Sequence, residues 1–159
     1  QPTAPGAQHL DSLLILAGLE EGDGVSIIPD AESKEDMAAL VLQARSISKR
    51  TFDQRFYLRD LKKGHHVTLL VSAGSQGAKT LGYLLYGMRE PSCMSVFHLA
   101  VHDKFRQRGF GTMLVRWAVE LAISVGCSSL RLNALAEAVP FYFEMGFTLI
   151  PGSCGGMEA

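Results

Sequence analysis

The sequence contains little cysteine: Cys93, Cys127 and Cys154 are the three among 159 residues. None of them belongs to a CxxC motif or to a cysteine–histidine spacing typical of zinc sites, so we predict no metal. An odd number of cysteines also argues against a disulfide framework. We therefore expect reduced thiols and a reducing compartment. The cytoplasm is the compartment that we predict, and an organelle is the alternative.

Two further absences narrow the class of protein. No apolar run reaches the roughly 18 residues that a membrane-spanning helix requires, so we expect no membrane partner. The 15 lysines and arginines nearly balance the 16 aspartates and glutamates, which gives a formal net charge of −1. Because a protein that coats nucleic acid needs an excess of positive charge, we predict no nucleic-acid partner, although a local basic patch fits this composition.

The chain is long enough for one domain with a real core. We place this domain at residues 24–159, after an N-terminal extension at residues 1–23. Within the extension, Leu10, Leu13 and Leu14 fall on one face of a short predicted amphipathic helix. This helix either packs on the domain or docks a partner, which includes a second copy of the chain.

The hydrophobic periodicity of the domain alternates between strands and helices. A short strand at 25–29 and two helices, the second at 51–62, precede three β-rich segments that predict an antiparallel meander. A long helix, a strand, a short helix and a last strand follow. This order predicts an α/β (α+β) domain with a mixed, mostly antiparallel central sheet flanked by helices.

A basic loop with two glycines directly precedes the longest predicted helix. Apolar residues at three- and four-residue spacing predict the helix, and its N-terminus falls at 109–111. A helix N-terminus presents about four unpaired N–H groups and partial positive charge. Gly109 and Gly111 let a ligand approach the backbone, and Arg106 and Arg108 add positive charge. This pattern indicates an anion site, most naturally for phosphate, with a glycine turn and solvated arginines as the alternative.

Two common nucleotide motifs do not fit the loop. A nucleoside triphosphatase loop requires Gly-Lys-Ser/Thr, and Gly111 is followed by Thr112 and Met113. A dinucleotide-binding fingerprint requires a small residue where Leu114 stands, and it follows the first strand of a βαβ unit rather than a meander. Neither nucleotide motif therefore explains the loop, and the two interpretations, a site for another phosphate ligand and a glycine turn with solvated arginines, both stay open.

Two motifs in order give a family resemblance. Arg106-x-x-Gly109-x-Gly111 resembles the coenzyme A signature of the GNAT superfamily of acyl-CoA-dependent N-acyltransferases. The segment from Ala138 to Phe147, AVPFYFEMGF, resembles the later Ala-x-x-Phe/Leu-Tyr-x-x-x-Gly-Phe segment of the same family. The resemblance implies the GNAT fold, with a sheet that splays at the acyl-CoA site. It also implies an acetyl-CoA-dependent N-acetyltransferase that acts by direct attack of a primary amine in a ternary complex.

The resemblance also implies which residues bind the donor, acetyl-CoA. The backbone of Leu99, Ala100 and Val101 is expected to pair with the pantetheine arm, as an added strand would. The pyrophosphate is expected to lie against the loop and helix start, which comprise Arg106, Gln107, Arg108, Gly109, Phe110, Gly111 and Thr112.

The resemblance makes Tyr142 the candidate proton donor to the leaving thiolate. A phenol with a pKa of about 10 is protonated at neutral pH, and a core tyrosine is the alternative interpretation. His98 is the candidate general base because imidazole titrates near neutrality. His102 and a water held by Ser95 are the other options for the base. A backbone N–H near Val101 is expected to polarise the thioester carbonyl.

The two motifs look most like the arylalkylamine N-acetyltransferase branch of the superfamily. That branch has two histidines before the Leu-Ala-Val strand, where this chain has Ser95 and Phe97, and His98 is out of phase with the pair. The acceptor, a small-molecule or protein amine, therefore stays open.

The family usually ends with two strands after the tyrosine-containing helix. Residues 147–150 predict the first, but Gly155 and Gly156 weaken the second because glycine in a strand has no side chain to pack. We expect the second strand to be missing or supplied by further chain or another chain. The alternative function is a catalytically weak or inactive GNAT-like subunit with a structural or regulatory part in an assembly.

Overall fold

The computed structural model describes residues 24–61, 64–74, 77–90, 92–151 and 155–159. The amphipathic helix predicted within residues 1–23 lies outside the described residues. The strands are β1 Val25–Ile28, β2 His65–Gly74, β3 Gly77–Glu90, β4 Cys93–Val101, β5 Ser129–Asn133, β6 Thr148–Leu149 and β7 Gly156–Glu158. The α-helices are α1 Ala38–Phe52, α2 Leu58–Leu61, α3 Phe110–Ser124 and α4 Val139–Glu144. Single 3₁₀ turns lie at Ala31–Ser33, Glu35–Met37, Asp103–Phe105 and Ala136–Ala138.

The seven strands form one sheet in the order β1-β2-β3-β4-β5-β7-β6. Five neighbouring pairs are antiparallel, and β4 with β5 is the parallel pair, because α3 crosses over between these two strands. The predicted mixed, mostly antiparallel sheet and its meander of β2, β3 and β4 are thereby confirmed.

Helices cover the sheet on both faces and form two apolar cores. On one face α1 contributes Leu40, Val41, Ala44 and Ile47, which pack with strand residues such as Leu69 and Tyr83. On the other face α3 packs Phe110, Met113, Leu114, Trp117 and Ala118 against strand residues that include Leu84, Leu130 and Met157. The three- and four-residue spacing of these apolar residues is the reason that both segments form helices. None of the helices described is long and apolar enough to cross a membrane.

Two predicted elements differ from the structure. The helix predicted at 51–62 is wrong in its bounds: Thr51 and Phe52 end α1, Asp53 follows with a left-handed φ of 57°, and α2 is only the turn Leu58–Leu61. The second final strand, expected to be missing, exists as β7 and pairs with β5 and β6.

Glycine at 155 permits β7 instead of weakening it. Gly155 has a φ of +82°, and a Cβ there would lie 2.7 Å from the carbonyl oxygen of Ala134. Ala134 donates its N–H to the carbonyl of Gly155 at 2.7 Å. Because Gly155 has no Cβ, the two backbones can approach each other. Met157, two residues further along the chain, is then placed fully buried in the core.

A β-bulge and an early end of pairing open the sheet in its centre. Leu85 pairs with His98 and Tyr86 with Val96, so Phe97 is the extra residue of β4. The register between β4 and β5 runs from Cys93↔Ser129 to Val96↔Leu132 and goes no further among the described residues. The second half of β4 therefore presents an open edge.

Candidate active site

The predicted donor-binding residues surround one cleft of about 950 Å³, which we call the β4–β5 cleft. Its walls are the second half of β4, the loop before α3, the end of α1 and the segment from Leu132 to Tyr142. Nine of the ten predicted donor-binding residues line it: Leu99, Ala100, Val101, Arg106, Gln107, Gly109, Phe110, Gly111 and Thr112. The two predicted catalytic residues, His98 and Tyr142, line it as well. The structure thus brings these residues together, and their roles stay predictions.

Arg108 is the predicted donor-binding residue that does not line the cleft. Its guanidinium carbon lies 5.7 Å from the ring centroid of Phe105, in a cation–π arrangement. We therefore expect Arg108 to stabilise the loop through this contact rather than through a phosphate.

The open edge of β4 presents backbone groups to the cleft. His102 donates its N–H to the carbonyl of Leu81 on β3 at 2.7 Å, and the register pairs Ala100 with Tyr83. In an antiparallel pair, every second residue of a strand directs its backbone N–H and C=O groups to the same neighbouring strand. His102 and Ala100 direct these groups to β3, so the N–H and C=O groups of Leu99 and Val101 point away from β3, toward the gap. These are the groups that an added, strand-like ligand would pair with.

The loop before α3 adopts a backbone conformation suited to an anion. Gln107 has a φ of 62° and Gly109 a φ of 84°, with Arg108 between them at negative φ. These two left-handed residues turn the chain directly before α3, so that the loop leads into the N-terminus of the helix. Gly109 is the N-cap of α3, and Phe110, Gly111 and Thr112 have no hydrogen-bond acceptor for their N–H groups among the described residues.

Arg106 is held at the mouth of the cleft by contacts within the chain. Its Nε donates to the carbonyl oxygen of Val101 at 3.2 Å, on the open edge of β4. Its Nη2 lies 3.1 Å from Oδ1 of Asp103 and 3.4 Å from the hydroxyl of Thr51. The signature arginine therefore ties the loop to β4 and to α1.

Tyr142 lies in α4 and is buried, with an exposed fraction of 6%. Its ring makes edge contacts with Phe141 and Phe147, and no described residue forms a hydrogen bond with its hydroxyl. Burial raises its pKa to about 12, because an apolar environment disfavours the phenolate. The hydroxyl is therefore protonated at neutral pH and has no partner to hold it away from a ligand.

His98 is turned toward α1 by the bulge at Phe97. Its ring stacks on Phe52 with centroids 4.5 Å apart, and its Nδ1 lies 3.0 Å from the hydroxyl of Tyr83. Burial lowers the pKa of His98 below its ordinary value, so the imidazole is neutral at neutral pH. Its Nε2 has no hydrogen-bond partner among the described residues, and this nitrogen accepts a proton in the tautomer whose Nδ1–H donates to the hydroxyl oxygen of Tyr83.

The other candidates for the base fit less well. His102 is absent from the lining of the cleft; its Nδ1 accepts from the backbone of Lys104 at 3.2 Å, and its Nε2 lies 3.2 Å from Arg50. Burial and the charge of Arg50 lower the pKa of His102. Ser95 is buried and lines a second cavity instead of the cleft.

Three residues of α1 that the sequence analysis did not identify also line the cleft. They are Arg50, Thr51 and Phe52, in the last turn of the helix. The periodicity of α1 shows which of its residues are buried, but not that its end reaches the loop some fifty residues later. No signal in the sequence alone identifies them.

One group of described side chains has ligand types and spacing that suit a metal ion: Asp30, Glu32 and His66. Hydrogen bonds account for these groups without one. Glu32 accepts at 2.7 Å from His66 and at 3.2 Å from the N–H of Val67, and Tyr86 donates to Asp30 at 3.1 Å. The group ties the first 3₁₀ turn to the sheet, and the absence of a metal stays a prediction.

A family model described as the Acetyltransferase (GNAT) family matches residues 35–147. Because the match covers more than half of the chain, this protein belongs to the acetyltransferase (GNAT) family. Membership confirms the predicted superfamily and fold, and it makes acetyl-CoA the acyl donor.

Solved structures of low sequence identity share the fold. GCN5 from Tetrahymena has a TM-score of 0.66 at 17% identity over 86% of this chain and 94% of that chain. PaiA N-acetyltransferase from Thermoplasma acidophilum, solved in complex with coenzyme A, has a TM-score of 0.61 at 15% identity over 85% and 98%. A chain of the KacTA–DNA complex has a TM-score of 0.61 at 19% identity over 86% and 92%. At these identities the likeness concerns the fold, so the expectation of no nucleic-acid partner stays a prediction.

Proposed function

We propose that this chain is an acetyl-CoA-dependent N-acetyltransferase that transfers the acetyl group to a primary amine by direct attack in a ternary complex. The observation that carries the proposal is the end of β4–β5 pairing at Val96↔Leu132. It leaves the backbone of Leu99 and Val101 facing a cleft whose other walls hold the signature loop and Tyr142.

Two parts of acetyl-CoA, the pantetheine arm and the diphosphate, bind at two different parts of the cleft. The pantetheine arm pairs with the open edge of β4, where the N–H groups of Leu99 and Val101 are directed. The diphosphate lies against the N–H groups of residues 107–112, where the partial positive charge of α3 stabilises it. A backbone N–H of the open edge, at Val101, also polarises the thioester carbonyl.

The side chains of the cleft supply the proton transfers. The amine nitrogen forms a bond to the acetyl carbon as the bond from this carbon to sulfur breaks. The hydroxyl of Tyr142 gives its proton to the leaving sulfur, and Nε2 of His98 takes the proton that the amine loses. The pKa shifts of both groups agree with these roles, since Tyr142 is kept protonated and His98 is kept neutral.

The acceptor approaches from a second cavity of about 580 Å³. It shares Val96, Phe97, Leu132 and Asn133 with the β4–β5 cleft, and these residues stand where β4 and β5 part. Because the donor arm fills the first cavity, an amine reaches the thioester through the second.

We do not restrict the acceptor to an arylalkylamine. Phe97 is the aromatic side chain among the lining residues of the second cavity, and it already contacts the ring of His65 at 4.4 Å. Serines and the pair of Arg131 and Glu158 give this cavity a polar lining, which suits a hydrophilic primary amine at least as well.

A turnover assay tests the proposal against the alternative of an inactive subunit. The release of free thiol from acetyl-CoA is measured with a panel of arylalkylamines, polyamines, amino acids and N-terminal peptides. We expect multiple turnovers with at least one amine. Binding of acetyl-CoA without amine-dependent thiol release from any member would instead favour the structural or regulatory role.

A further inference from the structure

Two arginines line the β4–β5 cleft, and the family signature contains only one of them. Arg106 is the signature residue, and Arg50 comes from the last turn of α1 on the facing wall. Nothing in the motif of the loop assigns a role to Arg50. Its side chain is about half exposed, so it is able to meet a ligand that enters the mouth of the cleft.

A carboxylate of the chain itself lies between the two guanidinium groups. Asp103 occupies this position: its Oδ1 lies 3.1 Å from Nη2 of Arg106, and its Oδ2 lies 3.8 Å from Nε of Arg50. Arg50 also reaches the start of the loop, with its Nη1 3.2 Å from Nε2 of His102. One carboxylate thus bridges an arginine from each wall.

The loop itself has less free positive charge than its sequence suggests. Arg108 lies over Phe105, outside the cleft lining, and Arg106 already donates to Val101. A diphosphate carries more negative charge than one carboxylate, so its binding calls for a further cation. Arg50 is placed to supply this cation. Its positive charge acts on the start of the loop, where it helps to lower the pKa of His102.

We propose that Arg50 binds the diphosphate of coenzyme A from the α1 side of the cleft, opposite the N–H groups of the loop. The guanidinium presents several donors to phosphate oxygens. The proposal rests on the proposed function, since it requires that coenzyme A occupy the cleft.

Calorimetric titration of coenzyme A tests this role with a matched pair of variants. Arg50→Gln removes the charge in the cleft. Lys49→Gln removes the same charge one residue earlier on α1, where the side chain pairs with Asp53 at 3.1 Å and does not line the cleft. We expect Arg50→Gln to raise the Kd about tenfold or more, because a hydrogen bond to a charged group contributes about 1.5–3 kcal/mol. Lys49→Gln is expected to leave the Kd unchanged.

Dephospho-coenzyme A, which lacks the 3′-phosphate, locates the contact. An equal loss of affinity for both ligands on Arg50→Gln supports the diphosphate assignment. A loss confined to coenzyme A overturns it, and so does an Arg50→Gln protein that binds as tightly as Lys49→Gln. If Arg50→Gln does not fold, Arg50→Lys is compared with Lys49→Gln in its place. We expect a smaller loss of affinity for coenzyme A in Arg50→Lys. An unchanged Kd would contradict the role of Arg50. If the wild-type protein itself binds no coenzyme A, the proposed function fails first.

Discussion

A substitution of Tyr142 is expected to affect catalysis without affecting the stability of the fold. The side chain of Tyr142 is buried, and its hydroxyl is protonated and has no hydrogen-bond partner among the described residues. Removal of such a hydroxyl leaves no polar partner unsatisfied, so Tyr142→Phe is not expected to destabilise the fold.

We expect Tyr142→Phe to lower kcat by about 100-fold, the lower end of the contribution of general acid catalysis, and to leave the affinity for coenzyme A unchanged. Steady-state kinetics and calorimetry measure the two quantities. Tyr57→Phe, at an exposed tyrosine outside the cleft lining, is the control and should have little effect. A Tyr142→Phe enzyme with wild-type kcat would remove Tyr142 from the mechanism.

The lowered pKa of His98 predicts the pH dependence of turnover. The neutral imidazole is the base, and burial moves its pKa below 6.5, so the active form persists to more acidic pH than for an exposed histidine. We expect kcat/KM, which reports groups of the free enzyme, to fall on acidification through a pKa below the ordinary value of histidine, and we expect His98→Gln to lose this acidic limb. An unchanged profile in the variant would assign the base to another group.

Family motifs made some residues of the site predictable and left others hidden. The loop residues and Tyr142 fall within sequence patterns, and the structure places most of them in one cleft. Arg50, Thr51 and Phe52 were not predictable, because helical periodicity indicates which residues are buried and not which distant segment the end of the helix reaches. Their contribution depends on how α1 packs across the sheet.

At the scale of elements, β4 and β7 show where local rules of sequence reading fail. The bulge at Phe97 has no marker in the sequence, yet it turns His98 toward α1. Local sequence rules predict that the two glycines before Met157 weaken a strand, whereas the close approach of Gly155 to Ala134 allows β7 to pair. Whether a glycine weakens or permits a strand depends on its tertiary neighbour.

The close approach at Gly155 predicts a difference between two alanine substitutions. Gly126 has a nearly identical φ of +83° but nothing within 4 Å of an added Cβ, so Gly126→Ala should incur only the left-handed strain of about 1–2 kcal/mol. Gly155→Ala incurs the same strain and a clash with a backbone oxygen, so its free energy of unfolding should be lower by at least about 1 kcal/mol more. Urea denaturation compares the two, and equal losses would contradict the packing described for β7.

At the scale of the whole molecule, the order of strands and helices was predictable because each segment has a clear periodicity. The gap between β4 and β5 was not visible in composition or spacing and entered only through the family resemblance. The gap arises from pairing that ends at Val96, a property of the assembled sheet.

Binding of the donor to this cleft should stabilise the entire domain. A ligand at 100 times its Kd stabilises the folded state by about 2.7 kcal/mol, which for a domain of this size corresponds to a Tm increase of about 5–10 °C. Thermal unfolding with coenzyme A should show this increase. Pantetheine at the same concentration, which lacks the diphosphate, should give a much smaller one, and equal shifts would argue against a dominant phosphate contact.

A crystal structure of the protein soaked with coenzyme A shows where the donor binds. We expect the diphosphate oxygens within about 2.7–3.2 Å of the N–H groups of residues 107–112, with the pantetheine arm beside Leu99 and Val101. Coenzyme A bound elsewhere on the protein, or a diphosphate that makes no contact with the start of α3, would contradict this expectation.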